Sequence, residues 1–315
     1  MSQAPTMVSR VDDYLATRRH MGFDLRIAGQ QLLAFARFAD QTGHQGPVTI
    51  DVAVRWAQRG TRATRLTWAR RLEVLRPFIM YRSQFDAGTE LVPPRFFGAA
   101  HRRLVPHIYT EQEIVSLLHA ADQLQPRDGL RPLTYHTLFG LLAATGLRIS
   151  EALHLKPLDV DVEQELLMVH QTKFRKSRLV PLDPTTAAAL KRYVEARERK
   201  LGGIKVEAFF VSDRGKPLVD RTVHNTFERL RGQLGWIARG GHVAPRIHDT
   251  RHTFVCRALL RSYRQHQPID QVIDALSTYV GHAKVSDTYW YVTAIPELMA
   301  IAAQRFAQAA EGGAS

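Results

Sequence analysis

Along the first third of the chain, apolar residues recur every three to four positions, the spacing of a helix with one buried face. In VSRVDDYLATRRHMG, residues 8–22, Val8, Val11 and Leu15 mark such a face and Gly22 ends it. DLRIAGQQLLAFARFADQTG predicts a second helix. Asp24 is its expected cap, Leu25, Ala28, Leu32, Phe35 and Ala39 form its apolar side, and Gly43 is its stop. PVTIDVAVRWAQRG predicts a third, opened by Thr49 and closed by Gly60, and TRATRLTWARRLEVLRPFIMYRSQF a long fourth. A Thr or Asp oxygen can accept from the free amides of a first turn. Glycine adopts the left-handed backbone that ends a last turn.

The pattern then changes. ELVPPRFFGAAHRRLVPHIYTEQE holds prolines, a glycine and the Arg102–Arg103 pair, a linker composition. It sets a helical domain over 1–92, a linker over 93–109 with the boundary near 106, and a second domain over 110–315. Thr110 and Glu113 have the spacing of a capping box that opens IVSLLHAADQL. YHTLFGLLAATGLRISEALHL reads as helix, Thr-Gly turn, and a new helix from about Arg148. LLMVHQT and RLVPL flank a basic turn, as in a β-hairpin. TTAAALKRYVEARERK reads as helix, AFFVS as a short strand, and the chain from Arg221 onward as helices with glycine breaks at 240–241 and 312–313. A last helix is expected after Pro296, bearing Leu298, Ile301, Ala302 and Phe306. The fold class is mainly α with a small β-sheet.

Composition narrows the class. The 315 residues are 45% hydrophobic and 23% charged, which suits a folded, water-soluble chain of two domains. No apolar run reaches the length of a membrane span, and MSQAPTMVSRVDDY lacks the apolar core of a signal peptide. Cys256 is the only cysteine, which suits a reducing cytoplasm and reads as a packed helical residue. The net charge is +13, and residues 1–107 carry 16 Arg against 8 acidic residues, with no lysine before Lys156. Such an excess fits either a polyanionic partner, whose phosphates match the guanidinium fork, or an arginine-rich codon bias. On the fourth helix Arg62, Arg65, Arg70, Arg71, Arg76 and Arg82 form a stripe.

Four separated stretches carry candidate chemistry: ATGLRISEALHL (144–155), TKFRKSRLVPL (172–182), HDTRHTF (248–254) and VGHAKVSDTYWYV (280–292). In this order they resemble the tyrosine recombinase (phage integrase) family over roughly residues 107–295. The resemblance implies a helical, SAM-like core-binding domain followed by a mixed α/β catalytic domain. It implies Arg148 as the first catalytic arginine with Glu151 supporting it, and Lys173 as the catalytic lysine when the hairpin is aligned on Val180-Pro181-Leu182. His248 and Arg251 fall on the His-x-x-Arg-His box, and Gly281-His282 on the Gly-His pair. Tyr291, nine positions after His282, falls on the nucleophile. Two departures stand out: Thr250 replaces an apolar residue, and the Lys173 turn lacks the usual glycines.

These residue types suit strand cleavage. Phosphoryl transfer is mainly positioning and charge stabilisation. Arg148 and Arg251 can each donate paired hydrogen bonds to non-bridging oxygens, and His282 one more. A tyrosine with pKa ~10 needs a base nearby, for which His248 is the natural choice and His252 the bland neighbour. A movable Lys173 can protonate the leaving 5′-oxygen. Residues two apart on a helix point about 200° apart, so Tyr289 and Tyr291 cannot share the site, and Tyr289 is expected to pack on the core. Arg62, Arg65, Arg70, Arg175, Lys176 and Arg178 are the expected DNA contacts. No metal-ligand spacing occurs, so neither a metal nor another cofactor is expected. The expected partner is duplex DNA with specific sites, bound by a homotetramer in synapsis or with related recombinase subunits. The last helix is then expected to dock on a neighbouring protomer or on its own domain. A type IB topoisomerase and a DNA-binding partner subunit are the competing readings.

Overall fold

The computed structural model describes residues 5–100, 103–170, 177–204, 206–282, 284–294 and 303. It divides into two compact units, Met1–Arg103 and Leu104–Ser315. The first holds α1 (Met7–His20), α2 (Arg26–Gln41), α3 (Ile50–Ala57) and α4 (Arg65–Arg82). Thr6, Thr49 and Thr64 cap α1, α3 and α4 through their hydroxyls. The Asp40 carboxylate, near the end of α2, accepts from the first two amides of α1, Met7 (2.8 Å) and Val8 (3.1 Å). Asp24 does not cap α2. The chain enters that helix through Leu25 in the left-handed region (φ 47°), which turns Leu25 onto the apolar core in place of a capped start.

Aromatic rings fill this bundle. Phe35 and Phe78 are fully buried, with Trp56 and Tyr14 meeting them edge-on at 5.6 and 5.5 Å. Burying such a side chain contributes roughly 2–3 kcal/mol. An exposed pair such as Arg55–Asp51 contributes ~0.3–0.5 kcal/mol, so ring packing and not surface charge assembles the bundle. The expected linker is packed at both ends. Val92 and Ala100 are buried with the first unit and Phe97 meets Trp68 at 5.3 Å. In the second unit Tyr109 donates its amide to Thr253 (2.9 Å) and its hydroxyl to the Arg246 carbonyl (3.0 Å).

The second unit contains α5 (Glu111–Asp122), α6 (Arg131–Thr145), α7 (Ile149–Leu153), β1 (Val160–Asp161), β2 (Leu166–Val169) and β3 (Arg178–Pro181). It continues with α8 (Pro184–Leu201), α9 (Asp220–Gln233), α10 (Asp249–Arg264), α11 (Ile269–Val280) and α12 (Ser286–Ala294). The Thr110–Glu113 capping box opens α5 as expected. The strands form an antiparallel sheet in the order β1-β2-β3, with Leu167 opposite Val180 and both buried. The short β1 was not expected from the sequence.

AFFVS is not a strand. Val211 makes only an isolated bridge to Pro217, while Phe209 and Phe210 are both buried. Successive residues of a strand face opposite sides, yet here both rings pack on Tyr193. The Tyr193 hydroxyl accepts from the Val211 amide (3.1 Å) and donates to the Phe209 carbonyl (3.3 Å), replacing a neighbouring strand. A separate apolar cluster joins α10, α11 and α12 through Val255, Cys256, Leu259, Ile273, Val280 and Tyr291. Among the described residues no helix is long and apolar enough to cross a membrane. The helix expected after Pro296 and the break at 312–313 lie outside the described residues.

Gly146 and Gly202 both end helices in the left-handed region, at φ 63° and 55°. A Cβ on Gly146 would stand 2.6 Å from the Phe254 ring, whereas one on Gly202 would meet nothing within 4 Å. Gly202→Ala should therefore cost only the backbone term, ~1–2 kcal/mol. Gly146→Ala should cost a further ~1–3 kcal/mol of overpacking. Urea unfolding of the two variants measures the difference, and equal losses would show that Phe254 yields without cost.

Candidate active site

The turn between α6 and α7 builds the first wall. After Gly146, Arg148 stands at the start of α7 and Glu151 in its first turn, and the Glu151 carboxylate accepts from the Arg148 amide (3.0 Å). The same carboxylate accepts from Arg148 Nη1 (2.7 Å) and from both terminal nitrogens of Arg178 (2.9 and 3.3 Å). Burial alone would raise Glu151. The hydrogen bonds from Arg178 and Arg148, and their charges, hold it below the ordinary carboxylate range. Arg148 Nη2 donates to the Gly281 carbonyl (3.1 Å).

The first turns of α10 form the second wall. Asp249, fully buried, accepts from the Arg246 amide (2.8 Å) and guanidinium (2.7 Å), which fixes the helix start. Arg251 follows. Only 2% exposed, it donates to the carbonyls of Gly146 (2.8 Å) and Val280 (2.7 Å). Burial and then the Arg148 charge lower it to about 10, so it remains a cation at neutral pH. His248 keeps an exposed edge, but protein crowds its ring. That desolvation, followed by Arg251 and Arg246, pushes it down to about 4. Thr250 is buried, and its hydroxyl donates to the Ile247 carbonyl (2.7 Å), which accommodates that departure from the family pattern.

The third wall follows α11. Gly281, at φ 70°, ends that helix and aims the chain into His282. His282 pairs through Nδ1 with Thr288 Oγ1 (2.7 Å), and burial followed by Arg251 and Arg148 lowers it to about 4. The Tyr291 ring lies parallel to His282 (7°, centroids 6.3 Å apart) and is 3% exposed. Its hydroxyl is 2.5 Å from His252 Nδ1. Tyr289, on the opposite side of α12, is 43% exposed and donates to Asp270 Oδ1 (2.7 Å). It therefore does not pack on the core as expected. Its hydroxyl ties α12 to α11 at the surface.

Six residues singled out in the sequence thus converge: Arg148, Glu151, His248, Arg251, His282 and Tyr291. Lys173, Arg175 and Lys176 lie outside the described residues. Arg178, expected to meet DNA, instead turns inward. Its Nε donates to the Tyr279 carbonyl (2.7 Å), its terminal nitrogens are engaged by Glu151, and its side chain is 11% exposed. A buried carboxylate with room for two guanidiniums captures it from β3. Arg62, Arg65 and Arg70 are exposed on the first unit, Arg70 with one bond to the Ala100 carbonyl (3.3 Å). The rest of the stripe is engaged: Arg71 holds the Ala57 carbonyl, Arg76 that of Val92, and Arg82 the Asp86 carboxylate.

His252 is the residue that sequence reasoning undervalued. It lies four positions after His248, one turn along the same helical face, and that spacing was the available signal. Among the described residues no three His, Cys, Asp or Glu side chains converge as a metal site.

The phage integrase family model matches residues 108–297. Over 95% of this chain and 96% of the relative, the chain is 39% identical to a protein named integrase/recombinase y4rB from Sinorhizobium fredii. It is 29% identical to the tyrosine recombinase XerA of Thermococcus kodakarensis, over 70% and 68% of the two chains. Among solved structures it superposes on the XerH site-specific recombinase in a post-cleavage complex with palindromic difH substrate. The TM-score is 0.64 at 17% identity, covering 94% of this chain and 84% of that one. For the Tn1549 transposon integrase bound to transposon right end DNA the TM-score is 0.62 at 17% identity, covering 96% and 100%. At that identity these two structures share the fold. The family model and the relatives go further: the chain belongs to the phage integrase family of tyrosine recombinases.

Proposed function

We propose that the chain is a site-specific DNA recombinase that cuts and rejoins duplex DNA through a 3′-phosphotyrosyl intermediate, in the integration, excision or transposition of a mobile element. The observation that carries this reading is the Tyr291 hydroxyl, buried yet hydrogen-bonded at a site walled by two arginines and three histidines from segments far apart in sequence. A phenol with no catalytic task needs no such assembly of guanidiniums and imidazoles.

In this reading Arg148, Arg251 and His282 take the non-bridging oxygens of the scissile phosphate, and Glu151 holds Arg148 in place. The Tyr291 oxygen attacks phosphorus, the bond to the 5′-oxygen breaks, and Lys173, which the sequence places between β2 and β3, gives that oxygen its proton. The ester broken is replaced by an ester formed, so a partner strand's 5′-hydroxyl reverses the step with no nucleotide cofactor. Exchange between two sites needs four such centres, which supports a homotetramer on DNA or a mixed assembly with related subunits, working in the cytoplasm. The exposed Arg62, Arg65 and Arg70 then contact phosphates.

Three outcomes follow. On a duplex selected from a random pool for binding, nicked at each step across its centre, Tyr291→Phe should bind but form no covalent adduct. Tyr289→Phe should form it, since it loses only the surface tie to Asp270. Peptide mapping of the adduct reads the assignment, and DNA on Tyr289 would end it. Lys173→Ala should cut a normal 5′-oxygen about 10²–10⁴-fold more slowly and recover much of the rate on a 5′-bridging phosphorothiolate, whose leaving group needs no proton. Rescue of Lys176→Ala but not of Lys173→Ala would move the acid along the hairpin. In salt titrations of DNA affinity, Arg62→Ala and Arg65→Ala should each reduce the log–log slope by about one. Arg178→Ala should leave the slope unchanged, because its guanidinium is engaged inside the protein. A fall in slope for Arg178→Ala and none for the other two would reverse the assignment.

A further inference from the structure

We propose that His252 is the first acceptor of the Tyr291 proton, through Nδ1, and so a catalytic residue of the strand-cleavage step. The inference rests on the recombinase reading above and adds a member to its machinery. The geometry leads to it directly. The Tyr291 oxygen stands 2.5 Å from His252 Nδ1, the two rings lie 5.5 Å apart, and both are shut in beside Trp290. His248, which the sequence offers as the base, stands behind: its ring meets that of His252 edge-on, with centroids 4.8 Å apart. The order is phenol, His252, His248, and of the two rings only that of His252 is hydrogen-bonded to the phenol.

The electrostatics give this contact its timing. Burial and then the neighbouring His248, Arg246, Arg251 and His282 push His252 down to about 3. The imidazole is therefore neutral at neutral pH, and in the tautomer the proposal requires, with the proton on Nε2, the Nδ1 lone pair accepts the phenol's hydrogen bond. Without DNA a positive charge on this ring is disfavoured and the phenol keeps its proton. A bound phosphodiester sets a negative charge among the same arginines and makes the imidazolium tolerable. Proton transfer then waits for DNA, which protects a buried nucleophile from ionising without a substrate.

The step balances. The Tyr291 O–H bond breaks and its proton passes to His252 Nδ1. The oxygen's electron pair forms the bond to phosphorus, the bond from phosphorus to the 5′-oxygen breaks, and that oxygen takes its proton from the leaving-group acid. On rejoining, the incoming 5′-hydroxyl returns its proton to the leaving-group acid, its oxygen displaces Tyr291 from phosphorus, and Tyr291 recovers its proton from His252.

The test compares His252→Asn and His252→Ala with the wild-type chain, by adduct formation on the nicked duplex selected for binding. DNA binding and melting temperature are measured in parallel. The asparagine side-chain oxygen can stand near the position of Nδ1 and accept the phenol's hydrogen bond, but it is not a base. Both variants should bind DNA as the wild type does and form adduct about a hundredfold more slowly at pH 7. The rate of His252→Asn should then climb close to tenfold per pH unit between about 7 and 9, as the phenol ionises without help. His252→Asn with the wild-type rate and pH profile would overturn the proposal, because the ring would then only orient the hydroxyl. Wild-type protein that forms no 3′ adduct would remove the recombinase reading itself, an outcome distinct from any ranking of the His252 variants.

Discussion

Arg251 is a permanent cation with almost no access to water, and the placement of the site follows from how that charge is accommodated. Its guanidinium draws the carbonyls of Gly146 and Val280 to within hydrogen-bonding distance, and so gathers the α6–α7 turn, the start of α10 and the end of α11 at one point. Two of those junctions lead into a residue of the candidate site: Arg148 follows Gly146 at the start of α7, and His282 follows Val280 at the end of α11. Removing a guanidinium from water is costly unless its donors are engaged. Two main-chain carbonyls engage some of them, and a bound phosphate can take more. Gly146 has to be glycine for two reasons that meet here, its left-handed backbone and the nearby Phe254 ring. The carbonyl that Arg251 needs is thus set by a residue whose own side chain is hydrogen.

Much of this was legible in the sequence, and the parts that were not share a cause. Helices with a threonine or a left-handed glycine at their ends were read correctly because those signals act within a few residues. Three of the four motifs located Arg148, Arg251, His282 and Tyr291, which the fold brings together, and the phase of α12 separated Tyr291 from Tyr289, since 100° per residue is a local rule. The failures involve partners far apart in sequence. Asp24 looks like a cap until Leu25 is seen to be held by the core, and AFFVS looks like a strand until Tyr193 supplies the bonds a neighbouring strand would give. His252 looks idle because its partner is 39 positions away.

The arginines show the same divide. Counting charges along the fourth helix suggests one basic stripe, but Arg62 lies in the turn before α4, Arg71, Arg76 and Arg82 spend their donors on carbonyls or on Asp86, and Arg62 and Arg65 face solvent. Arg178 is likewise a structural cation, recruited from β3 by Glu151 and by the Tyr279 carbonyl. Net charge is therefore a poor guide to which side chains are available to a polyanion. The side chain's existing hydrogen bonds are the better guide.

The sharing of Glu151 has a further consequence, in electroneutrality. Arg148 and Arg178 pair with that single carboxylate while Arg251, bonded to main-chain carbonyls, only senses its charge, an excess of two positive charges over these four groups. A resting phosphodiester carries one negative charge and leaves the pocket still positive. In the recombinase reading the phenol's proton stays within the site on His252, so phenolate and imidazolium cancel and the pocket keeps an excess of one positive charge through the attack. In that reading the standing surplus faces the non-bridging oxygens, on which negative charge grows as the tyrosine oxygen approaches phosphorus, so the attraction increases toward the barrier.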